Sequence, residues 1–466
     1  MANATVQATM SPLQHLQNKF AIMDLGGEIR LLDRHQVTGI LSGTIRGDVS
    51  FYKKPDGNLM MKRMLESLHL PCKADAVVAD FWVSPQTTVY SSTAFSPLPT
   101  SPSTLNFWVG HVPNPAPGNW QILRDYLLDV VSAGNQNVYE YLLKYMAHMV
   151  QRPEEKPGVM IVLLGGQGTG KGVYFTLLRA IWPRTTLQVA KIDQVVGRFT
   201  SALERSYIIC MDEALFAGDR QAIDSLKSTV TESHLHIEQK YQPSRTIESN
   251  HRLFAASNHE HFAHVEQDDR RFVFLRVSEI HRQDTKYFAD IAAAIANPGT
   301  IKALLYYLQR KDLSGFNVRA KPRTNEQQAQ KIKSLQGFER FWYEVLCMGN
   351  FVFNDEDDRG KYVWHQSIFI PTSELMKTYK ENNKNAERYQ SNQMSQILAK
   401  VTVMCPSAMV GIRGKWKNFR GETTVRGTRL PPLEVAKQEF ADYLGEVLTW
   451  ESDESSEDEN DSNDTD

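Results

Sequence analysis

The chain has 466 residues, 41% of them hydrophobic and 23% charged, the balance of a soluble globular protein with material for two to four cores. No apolar run approaches the length of a membrane span and the N-terminus carries no apolar signal segment, which argues against a membrane protein and for a cytoplasmic one. The net charge of −2 conceals an uneven distribution: residues 451–466 hold nine acidic side chains and no basic one, which leaves +7 on the first 450.

The four cysteines, Cys72, Cys210, Cys347 and Cys405, are scattered, with no CxxC pair and no histidine cluster at ligand spacing. That argues against a zinc ribbon and a disulfide framework and fits a reducing cytosol.

Residues 1–105 read as an accessory α+β domain. Phe20–Asp33 has the pattern of a β-hairpin turning at Gly26-Gly27, and Phe81-Trp82-Val83 and the Thr/Tyr-rich run to Phe95 read as further strands. Ser96–Ser103, with three prolines, reads as a loop or boundary. No Asp-x-Asp pair with a following histidine occurs here, so a polymerising active site is not expected.

From Asn119 to Val150 two helical patterns flank Ala133-Gly134-Asn135. Trp120, Leu123, Leu127 and Val131 share one face of the first; Val138, Leu142, Tyr145 and Met149 share one face of the second. They predict a packed helix pair.

Val159–Leu164 is a short, β-branched apolar run that reads as a buried strand. Gly165, Gly166, Gln167, Gly168, Thr169, Gly170, Lys171 and Gly172 follow, and a helical pattern with Phe175, Leu178 and Trp182 on one face comes next. Strand, glycine loop, lysine and helix is an arrangement that cradles phosphates. Backbone N–H groups converge on the anion, the helix start adds partial positive charge, and the lysine reaches the β/γ-phosphates. The usual motif ends in a Ser/Thr hydroxyl that binds Mg²⁺; here that position is Gly172.

Ser206–Glu213 reads as a second buried strand ending in two carboxylates, 41 residues after the lysine. Beside a phosphate loop, Asp212 is assigned to Mg²⁺ and Glu213 to the attacking water. Alone, such a run is also what any strand ending in a charged turn looks like.

Asp219–Glu232 is an amphipathic helix with Ile223, Leu226 and Val230 inward. His234–Glu238 and a loop with Lys240, Tyr241, Pro243 and Arg245 then read as a hairpin. Its two cations and one aromatic suit a nucleic-acid backbone and a base face, and equally a solvated charged turn. His234 and His236 lack a third ligand, so no metal is expected there. Arg252–Asn258 is a third strand; Asn258 at its end is either a phosphate or water contact or a strand-end cap. Asp268-Asp269-Arg270-Arg271 leads into a fourth strand, Phe272–Leu275. Its arginines offer either a local salt bridge or a finger to a neighbouring subunit's nucleotide.

In this order, the glycine loop to Lys171, Asp212-Glu213, the Lys240 hairpin, Asn258 and Arg270-Arg271 resemble a superfamily 3 helicase. The likeness is to the helicase part of phage and plasmid primase–helicase replication proteins. The resemblance covers residues 106–310 best. It implies an α/β fold: a P-loop, AAA+-related core with a helical N-terminal collar and a C-terminal winged-helix-like domain. It implies ATP and Mg²⁺ as cofactors and a ring, hexameric in the family, moving on single-stranded or forked DNA. Arg270 or Arg271 would act in trans, and Lys240 would track DNA in the channel. Gly172 departs from the pattern and leaves Mg²⁺ to Asp212, phosphates and waters.

Asp284–Asn297 and Pro298–Lys311 read as two helices of a lid. In Gly337–Trp450, a strand at Ile368 leads into a helix with Leu375 and Tyr379, and Ser391–Lys400 is a second helix carrying Met394, Ile397 and Leu398. Arg413, Lys415, Trp416, Lys417, Phe419 and Arg420 then lie within eight residues, with Arg426 and Arg429 following. Strand, helix, helix and basic hairpin is a winged-helix order, fit for DNA phosphates or for a structural contact between subunits.

The expected organisation is an accessory domain (1–105), a helical collar for oligomerisation (106–155), an ATPase core (156–280), a helical lid (281–336), a winged-helix-like basic domain (337–450) and a disordered acidic tail (451–466). The tail reads as a solubilising appendage or as a nucleic-acid mimic that could engage a primase or another replication protein.

The reading is therefore an ATP-dependent DNA helicase of mobile-element replication. The alternative is an ATP-binding initiator or scaffold that binds DNA without efficient hydrolysis, and Gly172 favours it. A small-molecule kinase would leave Asn258, the paired arginines and the basic C-terminal run without a role.

Lys240→Ala is expected to weaken DNA binding across sequences and to reduce the salt slope by about one unit. A salt titration of binding to single-stranded DNA checks it, and an unchanged slope returns Lys240 to the solvated turn.

Overall fold

The computed structural model describes residues 10–450 except 46, 48, 198–199, 213–219, 239–243, 259–268, 323, 353–360, 383–391, 419–420, 446–447 and 449. Described residues up to Pro322 form one unit, Asp269 aside, and those from Thr324 on form another.

The first unit opens with α1 (Pro12–Lys19). It starts in a capping box: Ser11 Oγ accepts from Gln14 N while the Gln14 side chain accepts from Ser11 N. β1 (Phe20–Leu25) and β2 (Glu28–Asp33) form the expected hairpin through Gly26 and Gly27, both at positive φ. α2 (Arg34–Ser42), β3 (Phe51–Lys53), α3 (Lys54–Ser67), α4 (Ala74–Val83) and β4 (Val89–Tyr90) complete a sheet of order β3-β2-β1-β4. Its core includes Leu16, Phe20, Leu31, Met61, Val78 and Phe81.

Phe81–Val83 is thus the end of a helix and not the strand that its three apolar residues suggest. The upstream run Ala74–Ala79 extends the pattern to helical period, and Val78 and Phe81, three apart, enter the core together. β5 (Ser92–Ala94) and β6 (Thr104–Asn106) then pair in parallel around the proline-rich loop.

α5 (Gln121–Asp125) runs into a π-helical turn, Tyr126–Val131, and α6 (Gln136–Gln151) follows a tight turn with Ala133 and Gly134 at positive φ. Leu123, Leu127, Val131, Val138, Leu142, Tyr145 and Met149 are buried, as their spacing predicts, while Trp120, at the start of the first face, is half-buried.

Next come β7 (Met160–Leu164), α7 (Lys171–Ile181), β8 (Thr186–Val189), α8 (Asp193–Val196), β9 (Ile208–Asp212) and α9 (Arg220–Thr231). The antiparallel hairpin β10 (His234–Ile237) and β11 (Arg245–Glu248) is followed by β12 (Arg252–Ser257), β13 (Phe272–Arg276), α10 (Thr285–Ala296) and α11 (Pro298–Arg310). β7, β8, β9, β12 and β13 make one all-parallel sheet in the order β13-β7-β12-β9-β8. Every residue of β7 and β12 is buried, which is why these strands read as continuous or nearly continuous apolar runs. β8 is the edge strand opposite β13; its Thr-Leu-Gln-Val sequence is half-exposed and carries no such signal.

The second unit comprises α12 (Asn325–Ser334), α13 (Gly337–Met348), β14 (Asn350–Val352), β15 (Lys361–Val363), β16 (Ile368–Pro371), α14 (Thr372–Asn382), α15 (Asn392–Met404), β17 (Met409–Asn418), β18 (Gly421–Leu430) and α16 (Leu433–Leu444). β16, β18 and β17 form an antiparallel sheet in that order. Phe338, Trp342, Trp364, Tyr379, Val401 and Phe440 lie in the core. The division falls before α12, which the sequence reading groups with the lid helices: Ile332 and Leu335 pack on the second core and Lys331 Nζ donates to Leu444 O at 2.9 Å.

At the amino edge of the parallel sheet, the first unit buries several basic groups. Arg252, fully buried, donates to Arg152 O at 3.1 Å and lies 5.3 Å from the Tyr207 ring centre. His251, also fully buried, bridges Ser249 Oγ at 3.0 Å and Leu203 O at 2.9 Å. Lys156 donates to Thr229 O at 2.8 Å, to Glu232 O at 2.5 Å and to Ser249 Oγ. It therefore caps the carbonyl end of α9 and ties the foot of the β10–β11 hairpin to the segment entering β7.

Burial pulls the His251 pKa from its ordinary 6.5 down to about 4, and burial with the nearby Arg252 charge does the same to His148. The unfolded chain therefore takes up these protons near pH 6.5 and the folded chain only near pH 4. The contribution is full above pH 6.5 and is lost as pH falls towards 4, about 3 kcal/mol for His251. His251→Gln is expected to flatten the fall of the urea midpoint between pH 6.5 and 4.5. An unchanged slope contradicts the neutral, buried assignment.

Candidate nucleotide-binding site

The register brings all five strand ends to one edge. Leu164 pairs with Ser257 on one side and Arg276 on the other, and Asp212 pairs with Ala256. β7 is flanked by β12 and β13 although its chain continues through α7 to β8 at the far edge. Such a reversal of strand order opens a crevice at the carboxyl ends, where open α/β sheets hold ligands.

Gly165–Gly170 fills that crevice. Gly168 and Gly170 have φ of +79° and +92°, and a Cβ on Gly170 would lie 2.4 Å from the Phe288 ring. Only glycine fits there. Tyr126 of the π-helical turn donates to Gly170 O at 2.9 Å, and Gln283 N donates to Gly168 O at 3.0 Å. α7 begins at Lys171, so the positive end of its dipole opens onto the loop.

Lys171 is only 8% exposed, and its ammonium needs acceptors. Nζ donates to Gly165 O at 2.8 Å, Gly166 O at 2.7 Å and Asn258 Oδ1 at 2.7 Å. The loop lysine and the polar residue that follows β12, 87 positions apart, are thereby in contact. Thr169 is buried and donates to Gly166 O at 3.0 Å.

Asp212, at the end of β9, is half-buried, and its Oδ2 accepts from Gln188 Nε2 at 3.2 Å. Gln188 in turn accepts from Arg179 of α7 at 2.6 Å. A half-exposed carboxylate held in this way is of the kind that could hold Mg²⁺, which needs few protein ligands when substrate phosphates supply others. A Cβ on Gly172 would meet no atom within 4 Å, so nothing but its own identity withholds a hydroxyl there. Glu213 lies outside the described residues.

Arg270 and Arg271 are not brought to this edge. Arg270 is exposed, Arg271 half-buried, and both precede β13, whose first residue Phe272 pairs with Met160, the first residue of β7. Arg271 O accepts from Met160 N at 2.8 Å. The five-residue strands place them about 16 Å from their own loop.

Lys240, Tyr241 and Arg420 lie outside the described residues; of Arg245, which starts β11, and Lys417, on β17, the backbone is described. Arg413 and Lys415 are exposed on β17 and, two residues apart, project from one face of the ribbon with β18. Lys415 pairs with Glu422 at 3.1 Å.

Sequence reasoning missed Tyr126, Arg179, Gln188 and the segment Ser278–Phe288. Tyr126 sat in an apolar stripe that hides its hydroxyl, and the others belong to no motif.

A family of unknown function, DUF5906, matches residues 163–271, from the loop strand to Arg271. The chain matches no curated protein. Its fold is similar to the apo structure of the NrS-1 C-terminal region (305–718), with a TM-score of 0.63 and 14% identity over 91% of this chain and 99% of that one. The A form of the same region gives 0.63 and 15% identity, over 91% and 100%. These likenesses establish a shared mixed α/β fold built on the parallel sheet.

Gly172→Ser is expected to leave the thermal midpoint unchanged or to raise it, since serine in a helix is favoured over glycine by about 0.5 kcal/mol. Destabilisation contradicts the open surroundings of this position.

Proposed function

We propose that this protein is an ATP-dependent DNA motor of superfamily 3 helicase type, acting in replication of a phage, plasmid or other mobile element. The observation that carries the reading is the contact of Lys171 with Asn258 at the edge where β9 presents Asp212. The parallel sheet that carries these residues belongs to the fold shared with the NrS-1 C-terminal region.

In this reading the loop N–H groups and the start of α7 hold the β- and γ-phosphates, and Lys171 exchanges loop carbonyls for phosphate oxygens. Asp212 holds Mg²⁺, which when bound neutralises charge on the phosphates. Glu213 orients the attacking water, and Asn258 reports the γ-phosphate to β12. Arg270 or Arg271, out of reach of its own loop, serves a neighbour's nucleotide, which makes a homo-oligomeric ring part of the mechanism. Single-stranded or forked DNA passes the β10–β11 hairpin, where Lys240, Tyr241 and Arg245 contact it. The β17–β18 ribbon, with Arg413, Lys415, Lys417 and Arg420, serves as a wing on DNA.

A primase or another replication protein is the proposed partner of the acidic tail, in the cytoplasm of a bacterial host. No helix among the described residues is long and apolar enough to cross a membrane.

Gly172 supports a second reading, an ATP-binding initiator or scaffold that assembles on DNA without efficient turnover. Steady-state phosphate release stimulated by single-stranded DNA rules it out; binding without turnover establishes it.

Lys171→Ala is expected to lower ATP hydrolysis at least about 100-fold while the thermal midpoint stays within a few degrees. Retained turnover removes the loop from the mechanism. Glu213→Gln should bind ATP with near wild-type affinity yet release no phosphate, measured by calorimetry beside a phosphate assay.

A further inference from the structure

The segment between β13 and α10 lies against the glycine loop and is pinned to its surroundings at three backbone points. Val277 N donates to Leu164 O at 2.8 Å, Ser278 N to Val130 O at 2.8 Å and Gln283 N to Gly168 O at 3.0 Å. A turn closes within it, Arg282 N donating to Glu279 O at 2.9 Å. Gln283 is held at a φ of +61°, an uncommon conformation for a residue with a side chain. Asp284 then caps α10 by accepting from Tyr287 N at 2.9 Å. The backbone of Arg282 is therefore fixed relative to the loop, and its side chain is the movable part.

That side chain lies over Gly166. A Cβ built on Gly166 would be 3.0 Å from Glu279 Oε1 and 3.3 Å from Arg282 Cζ, and the two side chains pair at 3.3 Å. The carbonyl of the same glycine accepts from Lys171. Two cations thus converge on one peptide of the loop, one from α7 and one from the β13–α10 turn. Arg282 is 48% and Glu279 54% exposed, and a pair this open is weak, so exchanging one carboxylate for another anion costs little.

We propose that Arg282 is a phosphate-binding residue supplied by the same chain, and that Glu279 is the counter-ion it gives up when a nucleoside triphosphate enters the loop. The inference rests on the nucleotide reading of the loop and adds to it a second cation in cis. Guanidinium on phosphate is a charge-assisted, bidentate contact, stronger than its pairing with a half-solvated glutamate. Glu279 then acts as a brake on affinity: it competes with the phosphate for Arg282 and places a negative charge beside the anion.

The test is calorimetric titration of the full chain with ATP and Mg²⁺, comparing wild type, Arg282→Ala, Glu279→Gln and the double variant, with Lys171→Ala as control. Arg282→Ala is expected to weaken ATP binding about tenfold and Glu279→Gln to tighten it several-fold. The double variant should bind as weakly as Arg282→Ala, because the effect of Glu279 runs through the arginine. Residues with a merely structural role would not shift affinity in opposite directions. Wild-type affinity in Arg282→Ala, or weakened binding in Glu279→Gln, overturns the proposal; loss of binding in Lys171→Ala would leave the loop assignment standing in that case. A folded wild-type chain that binds no ATP overturns both.

Discussion

A buried ammonium sets the terms of this structure. Lys171 is nearly cut off from water and can keep its charge only by finding oxygen acceptors. It finds two in the loop that precedes it and one on Asn258, at the end of a strand that enters the sheet more than eighty residues later. That requirement ties β7, α7 and β12 together at one edge. The parallel sheet makes it possible, since only parallel neighbours deliver Leu164, Ser257 and Asp212 to the same side. Both faces of such a sheet must be covered, which accounts for the helices around it. A lysine at the start of a helix, held by loop carbonyls and an amide at the mouth of a glycine loop, is a poor hydrophobic core and a good anion site.

The two edges of the sheet divide the chemistry between them. The carboxyl edge gathers the glycine loop, Asp212, Asn258 and the Arg282–Glu279 pair. The amino edge carries Arg270 and Arg271, the buried Arg252 and His251, and the half-buried Lys156. In the proposed function this polarity is the point. A subunit whose arginines lie about 16 Å from its own loop gains them only by meeting a second copy head to tail, the contact that closes into rings. Lys156 adds a mechanical link: it joins the segment entering the loop strand to the end of α9 and the foot of the hairpin proposed to touch DNA.

Much of this was legible because the residues involved have narrow conformational or chemical uses. Glycines at Gly168 and Gly170 and a lysine after them have few other reasons to stand together, and strands buried on both faces announce themselves as apolar runs. The hairpin at Gly26-Gly27 and the inward face of α9 follow from turn chemistry and period alone. What the chain hides is pairing. Nothing in the spacing of β7, β9, β12 and β13 gives their order, and β8, with alternating polar residues at the edge, looks like loop. Phe81–Val83 misled because three apolar residues carry no period; the alanines before them decide for helix. Tyr126 and Arg282 were invisible for the opposite reason: one hides in an apolar stripe, the other in an ordinary i,i+3 ion pair, and only tertiary structure aims them at the loop.

The central claim, that this edge hydrolyses ATP only with arginines from a neighbour, is tested most directly by mixing two inactive proteins. Lys171→Ala lacks the loop cation, and the Arg270→Ala/Arg271→Ala double variant lacks the arginines. Phosphate release is measured with single-stranded DNA for each alone and for mixtures across ratios. The account predicts no turnover from either alone and renewed turnover in the mixture, where intact loops meet intact arginines. Mixtures as inactive as their parts, or full turnover by the arginine variant alone, contradict it.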